Sequence, residues 1–229
     1  MHDLNNYLQN KFGKSVNVLS KTEFDNVLID KNFEMISWDD VATFFNKVNN
    51  EFKGEFSTAD ALYIIKKENK DQLFFFEFKN INFSKVSDRQ RSLFQLKLFL
   101  KQMEECPHDC DIYRDLEKIS EYLVDISNVS LRSKPSDSLS LFYHIMKDYY
   151  KLDDDEACDK LFQTDKFFFL VSNTQSQYLP FNKSNRQNRI IKPLEFLKRF
   201  EPYHYNKVFA VNKSGFDRYF YKRNRKFLN

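Results

Sequence analysis

Three charged residues, Asp60, Glu77 and Lys79, stand at the ends of two apolar, β-favouring runs. The runs are Asp60–Ile65 and Leu73–Lys79, and the polar stretch between them predicts an antiparallel hairpin with a longer loop. Because alternate side chains of a strand point to the same side, Glu77 and Lys79 should project together. The hairpin can bring Asp60 beside them, so the three residues form a candidate site.

The residue types at this site fit phosphodiester hydrolysis. The carboxylates of Asp60 and Glu77, with the main-chain carbonyl of Phe78, make an oxygen-rich site for Mg²⁺ or Mn²⁺. A bound metal would polarise the scissile phosphate and lower the pKa of a bound water. Lys79 could orient that water or stabilise the developing negative charge. The plainer interpretation is an ion pair at a strand end, with Asp60 as a turn residue.

Asp60 followed by Glu77-Phe78-Lys79 across a hairpin resembles the motif of the PD-(D/E)XK nuclease superfamily, which has a restriction-endonuclease-like fold. A Glu-x-Lys triplet occurs three times in the chain. Only this one ends an apolar strand that follows another apolar strand headed by an aspartate. The resemblance implies a metal-dependent nuclease that acts on DNA, and it leaves open endonuclease or exonuclease activity, RNA as substrate, and a homodimer.

The resemblance also implies an order of elements, because the family core is a helix, a three-stranded meander, a helix and a further strand. Trp38–Phe52 resembles the first helix, since its apolar residues share one helical face. Ser87–Glu104 resembles the helix after the hairpin, and Lys166–Ser172 resembles the later strand. The segment 105–165 between them would then be a helical insertion.

Two further catalytic residues follow from the resemblance. Members often carry an acid on the first helix, and Glu51 is favoured there over Glu55. RecB-like members carry a glutamine on the helix after the lysine, which matches Gln95, although Phe99 stands where a tyrosine is common. Arg91 lies four residues before Gln95 on the same helical face, where it could contact a phosphate or simply be solvated.

The C-terminal part of the chain is strongly basic. From residue 183 to 229 there are 13 Lys and Arg against 3 Asp and Glu, which indicates a polyanionic partner such as DNA. Aromatic residues alternate there with four candidate nucleic-acid contacts, Lys222, Arg223, Arg225 and Lys226. Such a segment can follow a nucleic-acid backbone. It could equally neutralise the acidic middle of the chain or be a frayed terminus.

Composition excludes several other functions. The three glycines stand far apart, at Gly13, Gly54 and Gly215, so the chain has neither a P-loop nor a dinucleotide-binding glycine motif. Three cysteines are too few for a four-cysteine zinc site. Cys106 and Cys110 flank His108 in a pattern that a plain loop after a helix explains better than a metal knuckle.

The complete prediction is an α/β protein with a mixed central sheet flanked by helices. It is one nuclease-like domain over 1–229, with a core at about 38–104 and 166–212, a helical insertion at 105–165 and a basic tail at 213–229. Helices are expected at about 111–124, 138–150 and Pro193–Phe200, and a last strand at Lys207–Asn212. The absence of a signal sequence or membrane span predicts a cytoplasmic protein without a membrane partner. The alternative function is a catalytically inactive nucleic-acid-binding or protein-interaction module on the same fold.

Overall fold

The computed structural model of the 229-residue chain describes residues 1–21, 27–49, 56–68, 70–79, 111–173 and 197–228, with the backbone alone for 111–130. Predictions for Glu51, Gln95, Arg91 and the helix Ser87–Glu104 lie outside the described residues. The same holds for Cys106, His108 and Cys110 and for residues 193–196.

A mixed sheet forms the centre of the described part of the chain, and its six strands stand in sequence order. The strands are β1 (Gly13–Ser15), β2 (Glu34–Ser37), β3 (Ala61–Ile65), β4 (Gln72–Lys79), β5 (Asp165–Ser172) and β6 (Lys207–Val211). Strands β1 to β4 pair antiparallel, and β5 and β6 continue parallel to β4. The predicted hairpin and both later strands are therefore confirmed, as is the α/β class.

Helices pack on both faces of this sheet. They are α1 (His2–Phe12), α2 (Val16–Leu19), α3 (Trp38–Val48), α4 (Asp111–Tyr150), α5 (Asp154–Phe162), α6 (Lys213–Phe216) and α7 (Lys222–Asn224). A π-helical turn joins α6 to α7, and a 3₁₀ turn over Arg225–Phe227 follows. None of the helices in the described residues is long and apolar enough to cross a membrane.

The alternation of β4 explains why the sheet is covered on both faces. Phe75 belongs to one buried cluster with Trp38 and Phe142. Phe76 belongs to the opposite cluster with Phe220. Side chains of successive strand residues point to opposite faces, so a run of consecutive phenylalanines needs two apolar cores. We call the cluster of Phe75 the first face and that of Phe76 the second face.

Helix α4 corrects the prediction of two separate helices. The sequence predicted separate helices at about 111–124 and 138–150, but the structure has one helix through Pro135. A proline inside a helix costs about 3 kcal/mol because it removes one backbone hydrogen bond. Leu131 and Leu139 are buried on either side of it, and this packing offsets that cost. Within the segment predicted as a helical insertion, the described residues form α4 and α5 between the parallel strands β4 and β5, and both helices contribute to the first face.

The N-terminal region was missed by the sequence analysis. Residues before Trp38 form α1, α2, the edge strand β1 and its neighbour β2. These strands are only three and four residues long, too short to show a clear alternation of apolar side chains. Helix α3 begins at Trp38 as predicted, but it ends at Val48 and not at Phe52. It also lies between β2 and β3 and not before the meander.

The C-terminal segment 213–227 is a packed helical run, not a frayed tail. Phe216 and Phe220 are fully buried in the second face, and the hydroxyl of Tyr63 on β3 donates to the carbonyl of Phe227 at 2.6 Å. The basic side chains of this run are therefore held on a rigid surface. We call residues 213–227 the C-terminal helical segment.

Tyr205 should stabilise α4 where it passes Pro135. The fully buried hydroxyl of Tyr205 donates to the Pro135 carbonyl at 2.7 Å. Because Tyr205→Phe removes one buried hydrogen bond, we expect it to lower the free energy of unfolding by about 1 kcal/mol, measured by urea denaturation. Tyr203→Phe is the control, since Tyr203 is 83% exposed; equal stability of the two variants would contradict the expectation.

Candidate active site

The first carboxylate of the candidate site is fixed at the start of β3. Asp60 directly precedes the strand, and its carbonyl accepts a hydrogen bond from the Trp38 N–H at 3.0 Å. Its side-chain Oδ2 accepts from the Phe78 N–H at 2.6 Å. The pairing of β3 with β4 ends at Ala61 and Phe76, so this carboxylate takes the place of the missing backbone partner of Phe78.

Glu77 directly precedes Phe78 on β4, and its side chain lies on the first face. Its side chain is completely buried, and its Oε1 lies 2.8 Å from the Nζ of Lys79. The Lys79 side chain keeps 35% exposure, so it joins a buried carboxylate to the surface of the protein. The structure thus confirms that Glu77 and Lys79 project together, and it brings Asp60 next to them as the hairpin predicted.

Lys134 of α4 completes this cluster, and sequence reasoning did not identify it. Its Nζ lies 2.9 Å from Glu77 Oε2 and 3.7 Å from Asp60 Oδ1, and it donates to the Thr58 carbonyl at 2.6 Å. Only 12% of its side chain is exposed. An ammonium group therefore lies among three oxygens contributed by β4 and by the entrance to β3. We call Asp60, Glu77, Lys79 and Lys134 the charged cluster.

One face of α4 holds the entrance to β3 in place. Lys134, Asp137 and Ser138 share that face because they are three and four residues apart. The Ser57 N–H donates to Asp137 Oδ2 at 3.1 Å, and the Ala59 N–H donates to Ser138 Oγ at 2.8 Å. Helix α4 therefore fixes the backbone that leads to Asp60, as well as contributing a charge to the site.

The electrostatics of the cluster depend on burial. Burial and then the charge of Glu77 raise the pKa of Asp60 from its ordinary 3.8 to about 7, against the opposing effect of Lys134. Burial lowers the pKa of Lys134, but the charges of Glu77 and Asp60 outweigh this effect and hold it above its ordinary value. Lys134 is therefore a firmly charged ammonium, whereas Asp60 changes its charge near neutral pH.

The oxygens of the cluster have the chemistry that Mg²⁺ or Mn²⁺ prefers. Within the described part of the chain, no donor other than the two ammonium groups completes the contacts of the buried Glu77 oxygens. The carbonyl of Phe78 points to the same side of β4 as its N–H, toward Asp60. A divalent cation in this set would have to displace the Lys134 ammonium. No group of three or more His, Cys, Asp and Glu suited to a metal occurs in the residues the structure describes.

No family model, curated protein or solved structure matches the chain. The interpretation of the site therefore depends on its own geometry.

Asp39 is a second residue that the sequence analysis missed. It lies in the first turn of α3, and its Oδ1 accepts from the Thr58 hydroxyl at 2.7 Å. Its negative charge contributes to the raised pKa of Asp60. The sequence signal was an acid at the start of the helix before β3. Helix α3 therefore does bring an acid near the cluster, from its first turn.

Of the five basic residues predicted to bind nucleic acid, Arg91 lies outside the described residues, and the other four belong to the C-terminal helical segment. Lys222 lines a cavity with Ser172, the last residue of β5. Lys226 lines a different cavity with Tyr63 and Ile65. Because Ile65 pairs with Gln72 at the start of β4, that second cavity lies at the opposite end of the hairpin from Lys79.

Proposed function

We propose that the protein is a metal-dependent nuclease that hydrolyses phosphodiester bonds in DNA. The observation that carries this proposal is the meeting of Asp60, Glu77 and Lys79 at one edge of the sheet, with Glu77 completely buried. A buried carboxylate is costly unless cations compensate it. Lys79 and Lys134 compensate Glu77, but a buried ion pair often adds little net stability because both charges lose their hydration. A functional role therefore explains this buried cluster better than a purely structural one.

The topology supports the resemblance to PD-(D/E)XK nucleases. Strands β2, β3 and β4 form an antiparallel meander, a helical connection follows, and β5 pairs parallel to β4. The aspartate stands at the start of the second strand of this meander and the Glu-x-Lys triplet at the end of the third. Helix α3 departs from the pattern, because it interrupts the meander, whereas α1 precedes it.

The residues of the cluster have separable roles in this proposal. Asp60, Glu77 and the Phe78 carbonyl would hold Mg²⁺, which when bound polarises the scissile phosphate. Lys79 would hold a water or a phosphate oxygen at the surface, since its ammonium is anchored to Glu77 and partly exposed. Lys134 balances the carboxylates in the absence of a cation, and it must move aside when one binds.

The position of Lys134 also favours a second candidate function. An ammonium that contacts both carboxylates can replace a divalent cation permanently. The charged cluster would then be a structural element of a non-catalytic module that binds nucleic acid or protein. Dependence on metal separates the two candidates, because the second function requires no divalent cation.

Cleavage assays should decide between these candidates. We expect cleavage of linear, circular or single-stranded DNA with Mg²⁺ or Mn²⁺, and a loss of about 100-fold or more in Asp60→Ala and in Lys79→Ala. The reason is that removing one preorganised charged group near a transition state costs about this much. Rates are measured from labelled fragments, with chelator as the metal-free condition and RNA as a parallel substrate.

Lys70→Ala is the matched control for Lys79→Ala. Lys70 pairs with Asp165 at the other end of β4, so its loss should leave the cleavage rate unchanged. Absence of cleavage on every substrate with both metals would favour the non-catalytic module. Cleavage that survives both Asp60→Ala and Lys79→Ala would show that the active site lies elsewhere.

A further inference from the structure

The polar cavity that Lys222 lines lies at the carboxyl ends of β5 and β6. It has a volume of about 550 Å³. Its lining includes Ser172 and Asn173 at the end of β5, Asn212 after β6, and three cations of the C-terminal helical segment, Lys213, Arg218 and Lys222. Ligands of open α/β sheets commonly bind outside the carboxyl ends of parallel strands, which is where this cavity lies.

The charge of this cavity is not neutralised by the described residues. Lys213, Arg218 and Lys222 are all exposed, and none of them forms an ion pair with a carboxylate in the described ranges. Asp217 is the acid in the lining, and Lys31 already contacts it at 3.5 Å. Three cations therefore surround a polar space large enough for a phosphate group.

We propose that this cavity binds phosphate groups, and that they belong to the backbone of the nucleic acid cleaved at the charged cluster. The second half of this statement rests on the proposed function. Lys79 pairs with Ser172 in the register of β4 and β5, so both sites share one edge of the sheet. Neighbouring strands are about 4.8 Å apart, which separates β4 from β6 by roughly 10 Å.

This separation suits one continuous strand of nucleic acid. Phosphates of a helical strand advance about 3.4 Å along the axis per nucleotide, so β4 and β6 are about three nucleotides apart along a bound strand. The strand would pass over the carboxyl end of the sheet, because the charged cluster lies on the first face and the C-terminal helical segment packs on the second. Arg218 and Lys222 are four residues apart in the C-terminal helical segment, and both line this cavity. The cavity therefore acts as a subsite that positions the strand and does not read its sequence.

The C-terminal helical segment contains its own matched controls, because the proposal narrows the sequence prediction: Lys222 contacts phosphate in this cavity, whereas Arg225 and Lys226, also predicted to bind nucleic acid, lie outside it. Lys226 lines the cavity at the opposite end of the β3–β4 hairpin, and Arg225 lines neither cavity. The pair Arg218→Gln and Lys222→Gln therefore removes the same charge as the pair Arg225→Gln and Lys226→Gln. All four side chains are exposed, so both double variants should fold.

The test is the binding of a fluorescent oligonucleotide to the full chain in chelator, followed by anisotropy at several salt concentrations. We expect Arg218→Gln/Lys222→Gln to raise Kd about 10-fold or more. The slope of log K against log salt should become shallower by about 2, because two phosphate contacts are lost. Arg225→Gln/Lys226→Gln should change Kd by less than about 2-fold at equal net charge.

Each other outcome has a defined meaning. Equal losses of oligonucleotide affinity in the two double variants would overturn the proposal that the cavity binds phosphate, and would indicate a diffuse effect of net charge. If calorimetry shows binding of inorganic phosphate that only the cavity variant loses, while oligonucleotide Kd stays equal in all proteins, the assignment to a nucleic-acid backbone is overturned. Absent cleavage with the expected binding pattern would overturn the nuclease function alone. Intact cleavage with unchanged binding in the cavity variant would overturn the cavity alone.

Discussion

Replacement of Lys134 by methionine should destabilise the metal-free protein by about 3 kcal/mol or more. Removing one partner of a buried ion pair leaves the other charge uncompensated, and this typically costs 3–5 kcal/mol. Glu77 is completely buried and would retain only the contact with Lys79, which is partly exposed. Urea denaturation in chelator measures the loss. The methionine side chain fills a similar volume, so packing alone should contribute little.

Two companion variants show whether the effect comes from the charge. Lys147→Met changes a lysine of the same helix that pairs with Asp154 at the surface, and its urea midpoint should hardly move. Lys134→Met combined with Glu77→Gln removes both partners, so its loss should be smaller than the sum of the single losses. Additive losses would mean that Lys134 does not stabilise the fold through Glu77.

The same variant separates the two candidate functions. If the charged cluster is a metal site, removal of the ammonium should lower the Kd for Mn²⁺ at least about 10-fold relative to the wild type. Binding would then restore stability to Lys134→Met by mass action. If Lys134 is a permanent substitute for a cation, Mn²⁺ should bind neither protein in titration calorimetry.

The position of Lys134 shows which part of the site the sequence could not predict. Asp60, Glu77 and Lys79 were predictable because a hairpin is local, and the alternation of a strand fixes which side chains point together. Lys134 lies 55 residues after Lys79, in a serine-rich stretch beside a proline that suggested a break between helices. Its position depends on the packing of α4 against the first face, which no local pattern records.

The fold, like the site, could be predicted only in part from the sequence. Strands β3 to β6 were recognisable because their apolar runs are long and rich in β-favouring residues. Strands β1 and β2 are too short to carry such a signal, and their place in the sheet comes from pairing with β3. The basic residues after Lys213 were recognisable as a charged group. Their division between two cavities depends on the packing of Phe216 and Phe220, which the charge pattern does not contain.

The stability of the metal-free protein should fall as the pH rises from about 4 to about 7, and Asp60 should account for much of this change. Its pKa is 3.8 in the unfolded chain and about 7 in the folded protein. Between these values the folded protein binds one proton more than the unfolded chain, so the free energy of unfolding decreases as pH increases. The full difference corresponds to up to about 4 kcal/mol, reached near neutral pH.

Asp60→Asn isolates this effect, because its amide oxygen can still accept the hydrogen bond from the Phe78 N–H. The groups that face Asp60 are Glu77, Lys134 and Asp39, and all three remain in the variant. We expect the two proteins to be similarly stable near pH 4, and the variant to become increasingly more stable up to about pH 8. Urea denaturation in chelator across this range gives the difference at each pH. A constant difference would show that Asp60 stays ionised in the folded protein, and that Lys134 compensates its charge more fully than the burial of the site indicates.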